Sequence, residues 1–288
     1  MGDTRVPSTD EKVVALLKAS RRNVRSFVHG VEALAPADGD VAGFLDEAGT
    51  SLASEERWVG AMELWEKAVR MYEEQGRGDE AAHLYANMGP AAATMGDVPR
   101  GVKLSKKAAE LAGETPDDHE LALHVSSDLG AMYAELGRWE DAMYEFSRAL
   151  EVSRVTDDLP AQARALLSLA RIGVARSDVG SARSEAMGAL SIGHACGDLL
   201  IQAEALQTLG DVSALAGQQE QAVREYRKAQ ELETHVPDPE LRAQLHFALS
   251  TVFEAMGDTE QAARERNLAA EAGLPEDGDD DDGDVEVG

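Results

Sequence analysis

The chain has 288 residues, an apolar content of 43% and a net charge of -27. This apolar fraction is enough to build a hydrophobic core, which excludes a wholly disordered chain. The single cysteine, Cys196, can form neither an internal disulfide nor a cysteine-based zinc site, so a disulfide-stapled secreted domain is excluded and a cytoplasmic location is expected.

The first residues of the chain do not have the pattern of a targeting signal. They read MGDTRVPSTDEK, without the basic stretch and following apolar stretch of a secretory signal. A run of about 18 apolar residues, the length needed to cross a bilayer, occurs nowhere in the sequence. We therefore expect no targeting to a membrane and no membrane span.

Residues 10–35 have the pattern of an amphipathic helix, and we assign residues 1–40 to an N-terminal capping helix and its link. The favoured interpretation is that the apolar face docks on the first repeat, because the end of a repeat array needs a cover. Membrane association, or recruitment of a partner or of the acidic tail by the basic face, are the alternatives. The apolar face holds Val13, Leu16, Leu17, Val24, Phe27, Val28, Val31 and Leu34, and the opposite face holds Lys18, Arg21, Arg22, Arg25 and His29.

Residues 41–274 consist of six copies of one unit. The clearest copy is DLGAMYAELGRWEDAMYEFSRALEV, residues 128–152. A small residue recurs at intervals of 40 or 41 residues, which is the spacing of a helical hairpin in which two helices approach closely. These small residues are Gly49, Gly89, Gly130, Ala170, Gly210 and Ser250.

Helix ends are marked independently of the repeat. Glycine follows four of the first helices, at Gly96, Gly137, Gly217 and Gly257. The runs Thr115-Pro116-Asp117-Asp118 and Asp238-Pro239-Glu240 each offer a capping side chain, a proline and acidic residues, which predicts a helix start at each proline. Alternating β-type runs are absent from the sequence.

In the clearest copy, Leu129, Gly130, Tyr133, Gly137, Ala142, Phe146 and Ala149 follow the pattern L-G-x-x-Y, turn glycine, A-x-x-x-F-x-x-A. This pattern resembles the tetratricopeptide repeat. The long period of about 40 residues, against the usual 34 or so, is similar to the repeats of LGN/Pins and kinesin light chain, which bind peptide segments of other proteins. The resemblance implies an all-α, right-handed superhelical solenoid of about six hairpins.

The same resemblance implies that the first helices line a concave groove that binds a partner. Counting equivalent positions along the repeats places two histidines and two arginines near its middle, which predicts that the groove receives an acidic peptide. Ordinary solvated surface positions are the alternative. The candidate partner-binding residues are His83, Asn87, His124, Arg164, Arg171, Gln207, Asp211 and Phe247.

Acidity has two sources. Residues 275–288, predicted to be a disordered tail, carry eight acids and no base, and the chain without them still has a charge of -19. The bases comprise 20 arginines and seven lysines, a bias that resembles haloarchaeal proteins. Such a surface disfavours nucleic-acid binding, because it repels polyanions.

Catalytic, cofactor and metal motifs are not found. Gly76-Arg77-Gly78 follows a helix rather than a strand, so we interpret it as a turn and not as part of a dinucleotide loop. His83 and His124 lack a third placed ligand, and we interpret Cys196 as a buried or partly exposed structural thiol.

We therefore predict a non-catalytic cytoplasmic adaptor or scaffold that needs no cofactor and binds a protein or peptide. The partner is neither a nucleic acid nor a membrane, and the oligomeric state is left open. The alternative is a regulatory or sensor module whose curvature changes when a ligand binds.

Overall fold

The computed structural model describes Gly30, residues 39–113 and residues 118–273. Regular structure in these residues is entirely helical, as predicted, while the predicted N-terminal helix, apart from Gly30, and the acidic tail lie outside them. The helices are α1 (Val41–Ala53), α2 (Trp58–Glu74), α3 (Gly78–Thr94), α4 (Val98–Ala112), α5 (His119–Glu135), α6 (Trp139–Val155), α7 (Leu159–Ala175), α8 (Val179–Cys196), α9 (Leu199–Leu215), α10 (Gln219–Glu233), α11 (Pro239–Met256) and α12 (Thr259–Ala272).

The chain divides into two compact units, of which the first ends at Val152 and the second begins at Ser153. The first unit contains the hairpins α1–α2 and α3–α4, followed by α5 and most of α6. The second contains the hairpins α7–α8, α9–α10 and α11–α12. First helices of neighbouring hairpins contact each other within a unit: α3 contacts α5, α7 contacts α9, and α9 contacts α11. Each unit therefore presents a surface lined by first helices.

The recurring small residues lie where the two helices of a hairpin approach each other. A Cβ atom on Gly210 would lie 2.4 Å from the ring of Tyr226, and one on Gly130 would lie 2.8 Å from the ring of Phe146. Tyr226 is held in place because its hydroxyl donates a hydrogen bond to Asp211 at 2.7 Å. The repeat of about 40 residues thus reflects the close approach of a small residue to a bulky one.

Every first helix is followed, within three residues of its end, by a residue with a positive φ. These residues are Glu56, Gly96, Gly137, Ser177, Gly217 and Gly257, again 40 or 41 residues apart. The next residue begins the second helix as its N-cap at Asp97, Asp178 and Asp258, so the chain reverses within three residues. The four glycines predicted to end first helices do so.

Aspartate caps eight of the twelve helices of the described residues. In each case the carboxylate accepts a hydrogen bond from the backbone N–H three residues later, which satisfies one of the unpaired donors of the first turn. The caps are Asp40, Asp97, Asp118, Asp158, Asp178, Asp198, Asp238 and Asp258.

One predicted helix start is wrong. We expected a helix beginning at Pro116, but α5 begins at His119 with Asp118 as its cap. The backbone N–H of Leu121 donates to the Asp118 carboxylate at 2.9 Å, and this bond sets the start of the helix. The other predicted start, at Pro239 after Asp238, is confirmed.

Candidate functional site

In the first unit, the predicted site residues lie on the first helices α3 and α5. His83 Nε2 lies 3.0 Å from Asp118 Oδ2, and His124 Nε2 lies 2.9 Å from Asp128 Oδ2, one turn along the same helix. The hydrogen bond to Asp128 raises the pKa of His124 above its usual value. Asn87, one turn beyond His83 on α3, is exposed. Each histidine here has a carboxylate beside it.

In the second unit, Arg164 and Arg171 lie on α7, about two turns apart. Arg171 Nη2 contacts Glu204 Oε2 of α9 at 3.3 Å. Arg164 is exposed and has no ion-pair partner among the residues that the structure describes. His83, His124 and Arg171 therefore each have a carboxylate of the chain itself beside them.

A pocket of about 390 Å³ opens beside Arg171, where α7, α9 and the start of α11 meet. Its charged side chains are one arginine and three acids, so its net charge is negative. The lining residues are Arg171, Glu204, Gln207, Asp238, Glu240, Leu241 and Gln244.

Each side-chain donor group of this pocket makes a hydrogen bond within it. Gln207 Nε2 donates to Gln244 Oε1 at 3.0 Å, and Gln244 Nε2 donates to Glu240 Oε1 at 3.1 Å. The third donor group, the guanidinium of Arg171, faces Glu204. One oxygen of each of the two glutamates is left for an incoming group, so the pocket offers acceptors and suits a ligand rich in N–H donors.

Two predicted partner-binding residues are used mainly inside the protein. Gln207 is 9% exposed and bonds to Gln244 at the floor of the pocket. Asp211 accepts the hydrogen bond from Tyr226, and burial raises the pKa of its carboxyl group. Asp211 therefore helps to hold the α9–α10 hairpin together.

Phe247 lies outside this pocket. Its side chain is 64% exposed and borders an adjacent apolar groove, formed with α12, that shares Gln244 with the pocket. Phe247 lies one repeat after Gln207, at the equivalent position of its helix. In the part of the chain that the structure describes, no later hairpin packs against α11, so Phe247 stays uncovered.

The family model of the tetratricopeptide repeat matches residues 79–154, from α3 to α6. Residues 79–154 are therefore tetratricopeptide repeats. The match includes Gly130, Gly137 and Phe146, which are among the residues on which the resemblance was based.

Solved structures show the same tetratricopeptide architecture. A tetratricopeptide repeat protein from Parabacteroides merdae ATCC 43184 is 16% identical, with a TM-score of 0.63 and coverage of 92% of this chain and 94% of that one. Kinesin light chain repeats from Podosopora anserina are 15% identical, with a TM-score of 0.59 and coverage of 68% and 96%.

A signal transduction ATPase with a tetratricopeptide repeat sensor, from Pyrococcus horikoshii, is 14% identical, with a TM-score of 0.62 over 93% of this chain and 47% of that one. No curated protein sequence matches the chain. At these identities the likeness concerns the fold alone.

Four residues of the pocket beside Arg171, the three acids and Gln244, were missed as site residues, although the repeat carries a signal for two of the four. Glu204 and Gln244 occupy the position of Arg164 in the next two repeats. Asp238 and Glu240 gave a helix-start signal, and their place beside Arg171 depends on how α11 packs near α7.

Other chemistry is sparse in the described residues. They contain no group of three or more histidine, cysteine or acidic side chains that could hold a metal ion. Cys196 is exposed at the last position of α8, which corrects the expectation of a buried or partly exposed thiol. None of the helices found in residues 39–113 and 118–273 is long and apolar enough to cross a membrane.

Proposed function

We propose that this protein is a non-catalytic adaptor that captures a segment of a partner protein on the surface lined by its first helices. Tetratricopeptide repeats generally mediate protein–protein interaction, and this chain offers a pocket on that surface in its second unit. The single cysteine supports a reducing compartment, the cytoplasm, as its place of action.

The bound segment carries a basic side chain at this pocket, whereas the sequence predicted an acidic peptide. The reason is that the cation expected to attract an acidic peptide, Arg171, is already paired with Glu204. The pocket keeps two further acids, Asp238 and Glu240, without a second base. A lysine or arginine side chain would meet carboxylate oxygens, and arginine can do so through two donors at once. This excess of acceptors is the observation that carries the proposal.

The experiment is selection from a random 12-residue peptide phage library on the full chain in 0.15 M NaCl. Selected peptides are expected to be enriched in lysine and arginine, and fluorescence polarisation then measures their affinity. The double variant Glu204→Gln/Glu240→Gln removes two acceptors and leaves Arg171 without its carboxylate partner. We expect it to bind the selected peptides at least tenfold more weakly, a difference of about 1.4 kcal/mol.

The matched control is Glu220→Gln/Glu231→Gln, which makes the same change in net charge at two exposed positions of α10 away from the pocket. It should bind as the wild type does. Equal loss in both double variants would mean that net charge alone attracts the peptide, and enrichment of acidic peptides, or of none, would refute the proposal.

The sensor alternative predicts a different response to the same peptides. An adaptor keeps its radius of gyration in small-angle scattering when a peptide binds. A sensor changes it, because the ligand favours one of two arrangements of the repeats.

A further inference from the structure

The last hairpin, α11–α12, carries an exposed apolar groove of about 460 Å³. Phe247 stands at its edge, 64% exposed, and alanines form much of its floor. No acid lines the groove, although the chain as a whole has a charge of -27. Its lining residues are Ala243, Gln244, Phe247, Arg266, Ala269 and Ala270.

The same positions are covered in the two preceding hairpins. Ala203 and Ala229, one repeat before Ala243 and Ala269, are fully buried and belong to the cluster that contains Leu241 and Leu245 of α11. One repeat earlier, Leu167 occupies the position of Phe247 and is 1% exposed, packed with Ile201 of α9. The groove is therefore the face on which a repeat normally receives the next hairpin.

The composition of residues 275–288 makes them a poor cover for this face. They contain eight acids, and their aliphatic side chains are two valines, Val285 and Val287. Burying such a segment on an alanine floor would require desolvation of carboxylates that have few bases to pair with. A more apolar occupant with an aromatic or aliphatic side chain suits the groove better.

The face carries both an exposed ring, Phe247, and an open groove, and a two-fold interface requires both halves of the fit on one patch. A cavity of about 150 Å³ already holds a benzene ring, so the groove has room for the phenyl ring of a second copy. Arg266 at the rim is paired with Glu254 of its own helix hairpin.

We propose that two copies of this chain pair through the α11–α12 face, with Phe247 of each copy in the alanine-lined groove of the other. No acid lines the groove itself, so the apolar contact between the two copies buries no carboxylate. Salt screens the remaining repulsion and strengthens apolar burial, so the pairing tightens as salt concentration rises.

The test is sedimentation velocity of the full chain from 1 to 100 µM, in 0.15 M and 1 M NaCl. We expect a monomer–dimer equilibrium with a lower dissociation constant at the higher salt. Phe247→Ala removes the ring and Ala269→Glu places a charge on the floor of the groove, and each should raise the dissociation constant at least tenfold. Both positions are partly or largely exposed, so circular dichroism should show the wild-type helix content.

Tyr144→Ala is the matched control, because Tyr144 is a comparably exposed aromatic side chain, 68% exposed, on α6. It should leave the dissociation constant unchanged. A chain that stays monomeric at both salt concentrations, or a dimer that tolerates Phe247→Ala, would overturn the proposal.

Two further outcomes identify a different occupant, and each also overturns the proposal. Dimers that appear only after deletion of residues 275–288 would mean that the tail covers the face. Species larger than a dimer, lost on deletion of residues 1–38, would mean head-to-tail stacking on the N-terminal segment of the next copy.

Discussion

Two non-glycine residues, Glu56 and Ser177, take a backbone conformation that the other repeats give to glycine. Ser177 has a φ of 60°, close to the 74° of Gly217 at the equivalent turn one repeat later. A side chain in this region costs about 1–2 kcal/mol through the contact of its Cβ with the backbone. The fold accepts this cost because the turn still forms its bonds, with Asp178 N–H donating to Gly173 at 2.8 Å.

Exchanging the residues of these two turns should shift stability in opposite directions. Ser177→Gly relieves the strained conformation but makes the unfolded chain more flexible, so we expect a net gain of about 0.5–1 kcal/mol in the free energy of unfolding. Gly217→Ser should lose a similar amount, because no other atom lies within 4 Å of its Cβ position and backbone strain is the whole effect. Urea denaturation followed by circular dichroism measures both, and a destabilised Ser177→Gly variant would contradict the assignment of strain.

Among the helices, α12 is joined to α10 and α11 through one buried carboxylate. Glu265, 3% exposed at its side chain, accepts from Arg227 of α10 and lies 2.6 Å from His246 of α11. Burial alone would raise the pKa of Glu265, but the hydrogen bonds from His246 and Arg227 outweigh burial and lower it. The charged form therefore stabilises the folded state above the ordinary pKa of 4.5, and this contribution is lost as pH falls through the lowered pKa.

Glu265→Gln should destabilise the second unit at pH 7 by about 1–3 kcal/mol, since a hydrogen-bonded charge is replaced by a neutral amide. The difference between wild type and variant should shrink as the pH is lowered from 5 towards 3, which urea denaturation at several pH values can follow. Glu231→Gln, an exposed change on α10, is the control and should match the wild type throughout. A difference that grew on acidification would contradict the assigned direction.

For the whole molecule, the sequence predicted the hairpins well and the charges of the site poorly. The hairpins follow from steric contacts between residues a fixed distance apart, such as Gly210 and Tyr226, and this spacing is visible in the sequence. The pairing of Arg171 with Glu204 joins residues 33 positions apart on different helices. It depends on side-chain directions across a packed interface, which a repeat pattern does not contain. For the same reason Gln207 and Asp211 were predicted to face a partner and are engaged within the protein.

A net charge of -27 should make the stability of the whole chain depend on salt. The carboxylates repel one another, and at 1 M salt the Debye length falls to about 3 Å, so the repulsion is largely screened. We expect the midpoint of thermal unfolding to rise by several degrees between 0.05 M and 1 M NaCl, at about 2–4 °C per kcal/mol. Circular dichroism measures this shift.

Deletion of residues 275–288 provides the comparison, because it reduces the charge to -19. The shortened chain should show a smaller rise in its midpoint over the same range. A midpoint that did not depend on salt in either chain would mean that the repulsion is already balanced by local pairs.

The eight aspartate caps set a limit on how this surface can be re-engineered. A variant designed for dilute buffer would usually carry fewer acids, and the acids to be replaced would be chosen because they are exposed. Several of the aspartate caps are exposed or only partly buried. Selecting acids by exposure would therefore remove these caps together with carboxylates that make no contacts. Each cap replaced by alanine would cost about 1 kcal/mol of helix stability. Neutralisation should therefore start at acids in the middle or at the end of helices and spare the residue before each first turn.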